Sequence, residues 1–251
     1  MRMPLSILGM PTEVLALILA ACSIGTLPVL AATSKLIGIG EASDERRKRI
    51  AVLKLPPFET TPYAVGLKIT YMQIGEADLS AFVSALSSGA LPLLVELNLN
   101  GNNIGDAGIS ALMSSLSSGA LPLLEELDLC GNQIGDAGIS ALASALSTGA
   151  LPLLVELDIS RNQIGDAGIS AFASAMSSGA LPRLEYLWLH CNKMSDVGVL
   201  ALAAALKSGA MASLQYLSQK DRYLSENGDE LLLREFPALQ LACTERKIRL
   251  I

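Results

Sequence analysis

A repeat of 30 residues is the feature of this sequence that most restricts its fold. The copy that begins at Leu94 reads LVELNLNGNNIGDAGISALMSSLSSGALPL, and the next copy differs from it at seven of its thirty positions. Clear copies begin at Leu94, Leu124, Leu154 and Leu184, and weaker ones begin near Ala64 and Leu214. A fixed period of this length is typical of a solenoid, in which each unit buries its apolar face against its neighbours. Solenoids present long surfaces, so the repeat predicts a binding protein rather than an enzyme.

Each repeat divides into a strand and a helix. In the pattern LxxLxLxxN, the alternation of Leu97 and Leu99 has a period of two and predicts a short strand with one buried face. In the following NxIGDAGISALxxxL, the residues Ile109, Leu112 and Leu116 fall on one stripe of a helix. Because each coil of strand, turn, helix and loop returns to the same edge, successive strands should run parallel.

Two residues of the repeat predict where its helix begins and ends. Asp106 stands at an N-cap position, and Gly119 stands where a helix typically stops. The equivalent aspartates are Asp136, Asp166 and Asp196. Each of the four is expected to cap its own helix.

The two patterns resemble the leucine-rich repeat, and the 30-residue unit with NxIGDxG is most similar to the ribonuclease-inhibitor type. This resemblance implies an α/β solenoid with a curved parallel sheet on its concave side and helices on its convex side. It also implies a ladder of asparagines with buried amides that bond to the backbone. The matching residues are Asn102, Asn132, Asn162 and Asn192. Met72 and Arg222 replace asparagine in the terminal coils, which are expected to be atypical.

Charge and cysteine usage restrict the partner and the compartment. The net charge is −6 with a pI near 4.9, which argues against a nucleic-acid partner because phosphate contacts require clustered Lys and Arg. The four cysteines show no CxxC motif and no pairing pattern. Free thiols in a reducing compartment are therefore expected.

The first sixty residues lack the repeat and are strongly apolar from Met10 to Ile37. Nine residues of this stretch fall at the spacing LPxExxxxIL…L..L…SK, and they are Pro11, Glu13, Val14, Ile18, Leu19, Leu27, Leu30, Ser34 and Lys35. This pattern resembles an F-box. The resemblance implies a small helical head that docks on the Skp adaptor of a cullin–RING ubiquitin ligase. Its adaptor-binding residues would be Pro11, Glu13, Ile18, Leu19, Leu27 and Leu30.

Two other interpretations of this segment stay open. The stretch 14–34 carries no charge over twenty-one residues, which is long enough for a membrane span or a signal peptide. Glu13 at its start, with Gly25 and Pro28 inside it, makes a membrane location less favoured. The third interpretation is a helical cap that covers the open edge of the first coil.

No catalytic constellation is evident in the sequence. His190 is the single histidine, and neither GxxxxGK[ST] nor GxSxG occurs. The sequence therefore predicts a protein without catalytic activity, cofactor or metal site.

The period-two alternation also predicts which strand side chains face the concave side. An acidic group consists of Glu126, Asp128, Glu156 and Asp158, with Cys130 and Ser160 beside it. An aromatic group consists of Tyr186, Trp188, His190 and Tyr216 and contains the only Trp of the chain. Aromatic anchors dominate interface energies, so both groups are predicted to bind a protein with a basic segment beside an apolar anchor. The alternative is that these rings only stack over their neighbours.

Together these observations predict three regions. A helical F-box-like head and linker spans 1–60, a solenoid of about six coils spans 61–232, and a C-terminal cap or tail spans 233–251. The predicted function is a protein-recognition scaffold, as a substrate-binding adaptor of a ubiquitin ligase in the cytoplasm or nucleus. The alternative is a membrane-anchored or secreted receptor-like module.

Overall fold

The computed structural model describes residues 50–54, 65–71, 74, 76–87, 91–92, 94–218 and 237–250. The F-box-like pattern and the apolar stretch 14–34 lie outside these residues, as do Met72 and Arg222. The predicted region boundaries at 60 and 232 also fall outside them, so that division stays a prediction.

Strands and helices alternate along the described chain. The strands are β1 (Ile50–Lys54), β2 (Val65–Thr70), β3 (Leu94–Asn98), β4 (Glu126–Asp128), β5 (Glu156–Asp158), β6 (Tyr186–Trp188), β7 (Tyr216–Ser218) and β8 (Arg249–Leu250). The helices are α1 (Glu76–Ser87), α2 (Asp106–Ser117), α3 (Asp136–Ser147), α4 (Asp166–Ser177), α5 (Asp196–Lys207) and α6 (Pro237–Glu245).

All eight strands form one sheet in chain order, and β2 to β8 are parallel. Equivalent residues of successive repeats lie side by side, so Leu97 pairs with Leu127 and Leu127 with Leu157. Neighbouring strands are about 4.8 Å apart whereas packed helices need about 8–10 Å. The stack therefore bends with its strands on the inside, and the predicted α/β solenoid with a parallel sheet is confirmed.

The strand β1 differs from the expected helix or linker. Its five residues pair antiparallel with β2, from Ile50 opposite Thr70 to Lys54 opposite Gly66. An open edge of a parallel sheet exposes unpaired N–H and C=O groups, and β1 satisfies those of the first coil. Local sequence patterns do not reveal this pairing because its partner lies on a separate segment.

The core is a continuous column of aliphatic side chains between sheet and helices. Leu127 and Leu129 from the strand are buried, as predicted, and Ile139, Leu142 and Leu146 from α3 pack against the same cluster. The small residues of the repeat reduce the bulk between helices, since alanines of α3, α4 and α5 are buried in the same stack. Each coil is thereby enclosed by its two neighbours.

The predicted helix end at Gly119 is present in the structure. The α2 helix stops at Ser117, and Gly119 takes a φ of 86°. Its N–H donates to Leu116 O at 2.9 Å while the N–H of Ala120 donates to Ser115 O at 3.4 Å. These two bonds form a Schellman motif, for which a left-handed residue is required.

The prediction that the repeated aspartates cap their own helices is wrong. The residue Asp106 is the first residue of α2 itself, and the N-cap is Gly105, which has no side chain to cap with. The Oδ1 atom of Asp106 instead accepts hydrogen bonds from Gly135 N at 2.6 Å and Gly138 N at 2.9 Å, at the start of α3. Asp106 therefore caps the helix of the following coil and not its own.

The same arrangement recurs in the next two coils. Asp136 accepts from Gly165 N at 2.7 Å and from Gly168 N at 3.0 Å. Asp166 accepts from the backbone and the hydroxyl of Ser195, and this hydroxyl bond is the main reason why the pKa of Asp166 is lowered. A carboxylate here also interacts favourably with the positive end of the helix dipole.

The asparagine amides join neighbouring coils through their strand ends. Asn132 is buried, and its Nδ2 donates to Leu99 O of the preceding coil at 3.1 Å and to Leu129 O at 2.9 Å. Its Oδ1 accepts from Ile104 N at 3.2 Å. Equivalent bonds are made by Asn102, Asn162 and Asn192. One side chain thus satisfies three backbone groups that the turn leaves without partners.

We expect Asn132→Leu to lower the free energy of unfolding by about 1–3 kcal/mol for each backbone group left without a partner. Chemical denaturation followed by circular dichroism measures this. The control is Asn103→Leu, because Asn103 is the exposed neighbour of the ladder in the preceding coil. Equal unfolding midpoints for the parent and Asn132→Leu would contradict a structural ladder.

We expect Asp136→Ala to lower the free energy of unfolding by about 1–3 kcal/mol, because two N–H groups of the following helix lose their acceptor. Asp136→Asn keeps an oxygen there and should lose less. The matched control is Ser144→Ala at an exposed position of α3. If Asp136→Ala and Ser144→Ala unfold at the same denaturant concentration, the capping between coils is not stabilising.

Candidate protein-binding face

Two columns of side chains run across the strands on the concave side of the sheet. The first column consists of Glu96, Glu126, Glu156, Tyr186 and Tyr216, in register on β3 to β7. The second column consists of Asn98, Asp128, Asp158, Trp188 and Ser218 on the same strands. We call these two columns together the concave face. Both change from acidic to aromatic between β5 and β6.

The acidic half of the concave face forms a shallow groove of about 180 Å³. Its carboxylates are carried by adjacent strands, and the backbones of neighbouring strands are about 4.8 Å apart. At the N-terminal end, Lys68 forms an ion pair with Glu96. Further along the groove, Glu126, Glu156 and Asp158 are not in an ion pair with any described residue. The groove therefore concentrates negative charge on one surface.

Crowding and burial shift the pKa values of two of these carboxyl groups. Glu126 is exposed at the surface, but its partial burial is the main reason why its pKa is raised from the ordinary 4.5, and the charges of Glu96 and Glu156 add to the shift. Burial also raises the pKa of Asp128, with a further contribution from Asp158. Their charged forms are less favourable in the folded protein than in water, so a cation placed in the groove would relieve this cost.

The aspartates of the second column also end the strands. Asp128 Oδ1 accepts from Cys130 N at 2.9 Å, and Asp158 Oδ1 accepts from Ser160 N at 2.8 Å. Asn98 does the same for Asn100 N at 3.0 Å. A side chain that bonds the backbone two residues on forms an Asx turn. This second role was not predicted from the sequence, although Asx residues before a turn are a known signal for it.

The structure corrects the placement of Cys130 and Ser160, which were expected on the concave side. Both side chains are buried, Cys130 with 8% of its surface exposed and Ser160 with none. The hydroxyl of Ser160 donates to Asp158 Oδ1 at 2.6 Å and contacts Cys130 Sγ at 3.3 Å. Both residues lie beyond the ends of β4 and β5, in the turns that Asp128 and Asp158 form, so the alternation that applies within the strands no longer holds.

The aromatic half of the concave face is held by direct contacts. The rings of Tyr186 and Tyr216 stack with centroids 4.9 Å apart and planes 5° apart. The indole Nε1 of Trp188 donates to Glu156 Oε1 at 3.1 Å, and its ring meets His190 edge-on with centroids 6.4 Å apart. His190 Nδ1 in turn lies 3.1 Å from the hydroxyl oxygen of Ser218. The aromatic residues thus form two ordered pairs, Tyr186 with Tyr216 and Trp188 with His190.

Three ligand-type atoms meet beside the acidic half, on Asp128, Cys130 and Asp158, all within 4.8 Å of one another. Each group already has hydrogen-bond partners inside this cluster. Burial raises the pKa of the Cys130 thiol, which favours the protonated form, a poor metal ligand. We therefore assign no metal to this cluster. Cys130 and Cys243 are free thiols.

The predicted adaptor-binding residues, which are Pro11, Glu13, Ile18, Leu19, Leu27 and Leu30, lie outside the described residues. Their contacts with each other or with the solenoid therefore stay a prediction. Among the residues that the structure does describe, every helix is too short or too polar to cross a membrane.

We expect Glu126→Gln to raise the melting temperature at pH 7 by about 1–3 °C. The substitution removes repulsion between exposed like charges, which changes the free energy of unfolding by up to ~1 kcal/mol, and this range corresponds to such a shift in a domain of this size. The folded pKa of Glu126 is raised, so the folded state binds more protons than the unfolded state between the two pKa values. Parent stability therefore falls as pH rises through the folded pKa, and glutamine removes this loss.

Thermal unfolding from pH 3.5 to pH 7 measures the effect, which should disappear at the acid end. Glu185→Gln is the control, because Glu185 is outside both columns and bonds Gln215. A melting temperature of Glu126→Gln that equals the parent value at pH 7 would contradict the crowding of the carboxylates.

A comparison with known protein families supports the identification of the repeat. A family model described as Leucine Rich repeat matches residues 90–113, 120–143 and 150–173. No curated protein sequence matches the chain.

Similar solved structures include a crystal structure of a pollen receptor kinase 3, at 16% identity over 62% of this chain with a TM-score of 0.33. The alignment covers 62% of the receptor kinase structure, which is less than two thirds of its length. An internalin from Listeria monocytogenes aligns at 16% identity over 75% of this chain and 86% of its own, with a TM-score of 0.20. Both TM-scores are too low to indicate a shared function. The matched repeats and the seven parallel strands that alternate with helices make this chain an α/β leucine-rich-repeat solenoid.

Proposed function

We propose that this protein is a non-enzymatic scaffold whose concave face binds a protein with a basic segment beside an apolar anchor. The observation that carries the proposal is the change from carboxylates to aromatic rings along the same two columns. The crowded carboxylates would attract a cationic segment and steer its approach. The rings would supply rigid contact area with few rotamers to order, which favours slow dissociation.

The finer proposal is that the chain brings this partner to a cullin–RING ubiquitin ligase. It is supported by the F-box-like pattern from Pro11 to Lys35. A surface that only binds a protein also suits an adaptor, because an adaptor performs no chemistry of its own. The ribonuclease-inhibitor type of repeat is likewise proposed from the 30-residue period and the NxIGDxG pattern. A cytoplasmic or nuclear location follows from the adaptor role.

The alternative is a membrane-anchored or secreted receptor-like module, which the uncharged stretch 14–34 favours. Affinity capture of the full chain from a cell extract separates the two proposals. The adaptor role requires the Skp adaptor and a cullin in the captured material, and their loss on Ile18→Lys with Leu19→Lys. Membrane association that resists carbonate, without Skp, would instead support the receptor-like module.

We expect Trp188→Ala and Glu126→Gln to change binding of a captured partner in different ways. The first should raise the dissociation rate and cost about 2 kcal/mol or more, nearly independent of salt, because it removes a packed anchor. The second should slow association, and its effect should shrink as salt rises and the Debye length falls below about 8 Å.

Surface-binding kinetics at two salt concentrations measure both effects. Glu185→Gln is the control, because it removes the same charge outside the concave face. The concave face is not the binding surface if the partner binds Trp188→Ala as it binds the parent.

A further inference from the structure

A stack of aromatic and cationic groups on the concave face has one occupied end and one open end. We propose that its open end, between the ring of Tyr186 and the carboxylate of Glu156, binds an arginine side chain of the partner. This inference rests on the proposed function and specifies which residue of the basic segment is read. It defines the arginine slot as the space between Tyr186, Glu156 and Trp188.

The chain itself occupies the other end of the stack with an arginine. The guanidinium carbon of Arg249 lies 5.4 Å from the ring centroid of Tyr216, within the range of a cation–π contact. Tyr216 stacks on Tyr186 with centroids 4.9 Å apart, which matches the spacing of neighbouring strands. The stack therefore advances by one group per strand, from β8 through β7 to β6.

The next step of this stack falls on β5, where the strand register places Glu156 beside Tyr186. Within the described part of the chain, no other ring or cation stacks on Tyr186 on this side. The slot thus offers a ring face with a carboxylate next to it, and Glu126 follows one strand further on.

Trp188 fixes the carboxylate of the slot. Its indole Nε1 reaches diagonally from β6 to Glu156 Oε1 at 3.1 Å, and Oε2 makes no hydrogen bond within the described residues. The carboxylate is therefore held in one orientation with one oxygen left for a ligand. An N–H donor that bonds this oxygen can at the same time lie over the Tyr186 ring.

These features favour arginine over lysine. A guanidinium is planar and weakly hydrated, so it can stack on a ring and donate sideways to a carboxylate at once. An ammonium group is compact and strongly hydrated, and it keeps the charge attraction but not the stacking. Citrulline has nearly the same shape as arginine without the charge, so it would lose the attraction of the acidic groove.

The single tryptophan of the chain is a built-in reporter, because Trp188 is itself a wall of the slot. The probes are three nine-residue peptides of glycine and serine with one central arginine, lysine or citrulline. We expect the arginine peptide to change the tryptophan emission saturably. Lysine should bind about three- to fivefold more weakly, the loss expected for one exposed stacking contact, and citrulline more weakly still.

Variants assign the preference to the slot. Tyr186→Leu should make the arginine and lysine peptides bind equally, and Glu156→Gln should weaken both. Tyr186→Phe keeps the ring face and should keep the preference, which separates a lost contact from a damaged fold. Glu185→Gln, with the same charge change outside the slot, should bind as the parent does.

Equal affinities of the parent for the arginine and lysine peptides would overturn the arginine slot, as would no response to the arginine peptide. An arginine preference that survives in Tyr186→Leu would overturn it too. None of these results affects the proposed scaffold function, which fails by a different measurement, a captured partner that is indifferent to Trp188→Ala.

Discussion

The whole structure depends on hydrogen bonds that leave one coil and end in the next. A single coil has too little apolar surface to form a core and leaves backbone groups without partners at the end of its strand. The amide of Asn132 bonds the backbone of its own coil and that of the preceding one. Apolar contacts fill the stack, but these directional bonds set the register between coils, because a shifted register would leave buried polar groups unpaired.

The aspartate caps explain why the segment IGDAG is repeated without change in three coils. The N-cap of α3 is Gly135, which has no side chain, so the carboxylate of Asp106 caps this helix from the preceding coil. The carboxylate approaches so closely that a Cβ on Gly138 would lie 2.7 Å from its Oδ1. The aspartate of one coil and the glycine of the next are thus both required for the contact. A coil in the middle of the stack supplies its aspartate to the following coil and its glycine to the preceding one.

The concave face combines structural and binding demands on the same residues. Asp128 and Asp158 end their strands with one carboxylate oxygen, while their charge contributes to the acidic groove. Glu126 makes no such bond to the backbone of the described residues, and partial burial with the charges of Glu96 and Glu156 raises its pKa. In the proposed function, the charge of this exposed column attracts the basic segment of the partner.

Much of this fold could be predicted from its sequence because the repeat makes the local periodicity easy to recognise. The alternation of Leu97 and Leu99, the stripe from Ile109 to Leu116 and the stop at Gly119 depend on contacts within one coil, and each is present in the structure. Apart from the asparagine ladder, which the family resemblance implied, contacts between coils had no such signal. The partner of Asp106, the burial of Cys130, the pairing of β1 and the stack of Arg249 on Tyr216 join residues 29 or more positions apart or on separate segments. Only the tertiary structure determines these, because periodicity shows which side of an element a residue occupies but not which atom of the next coil it meets.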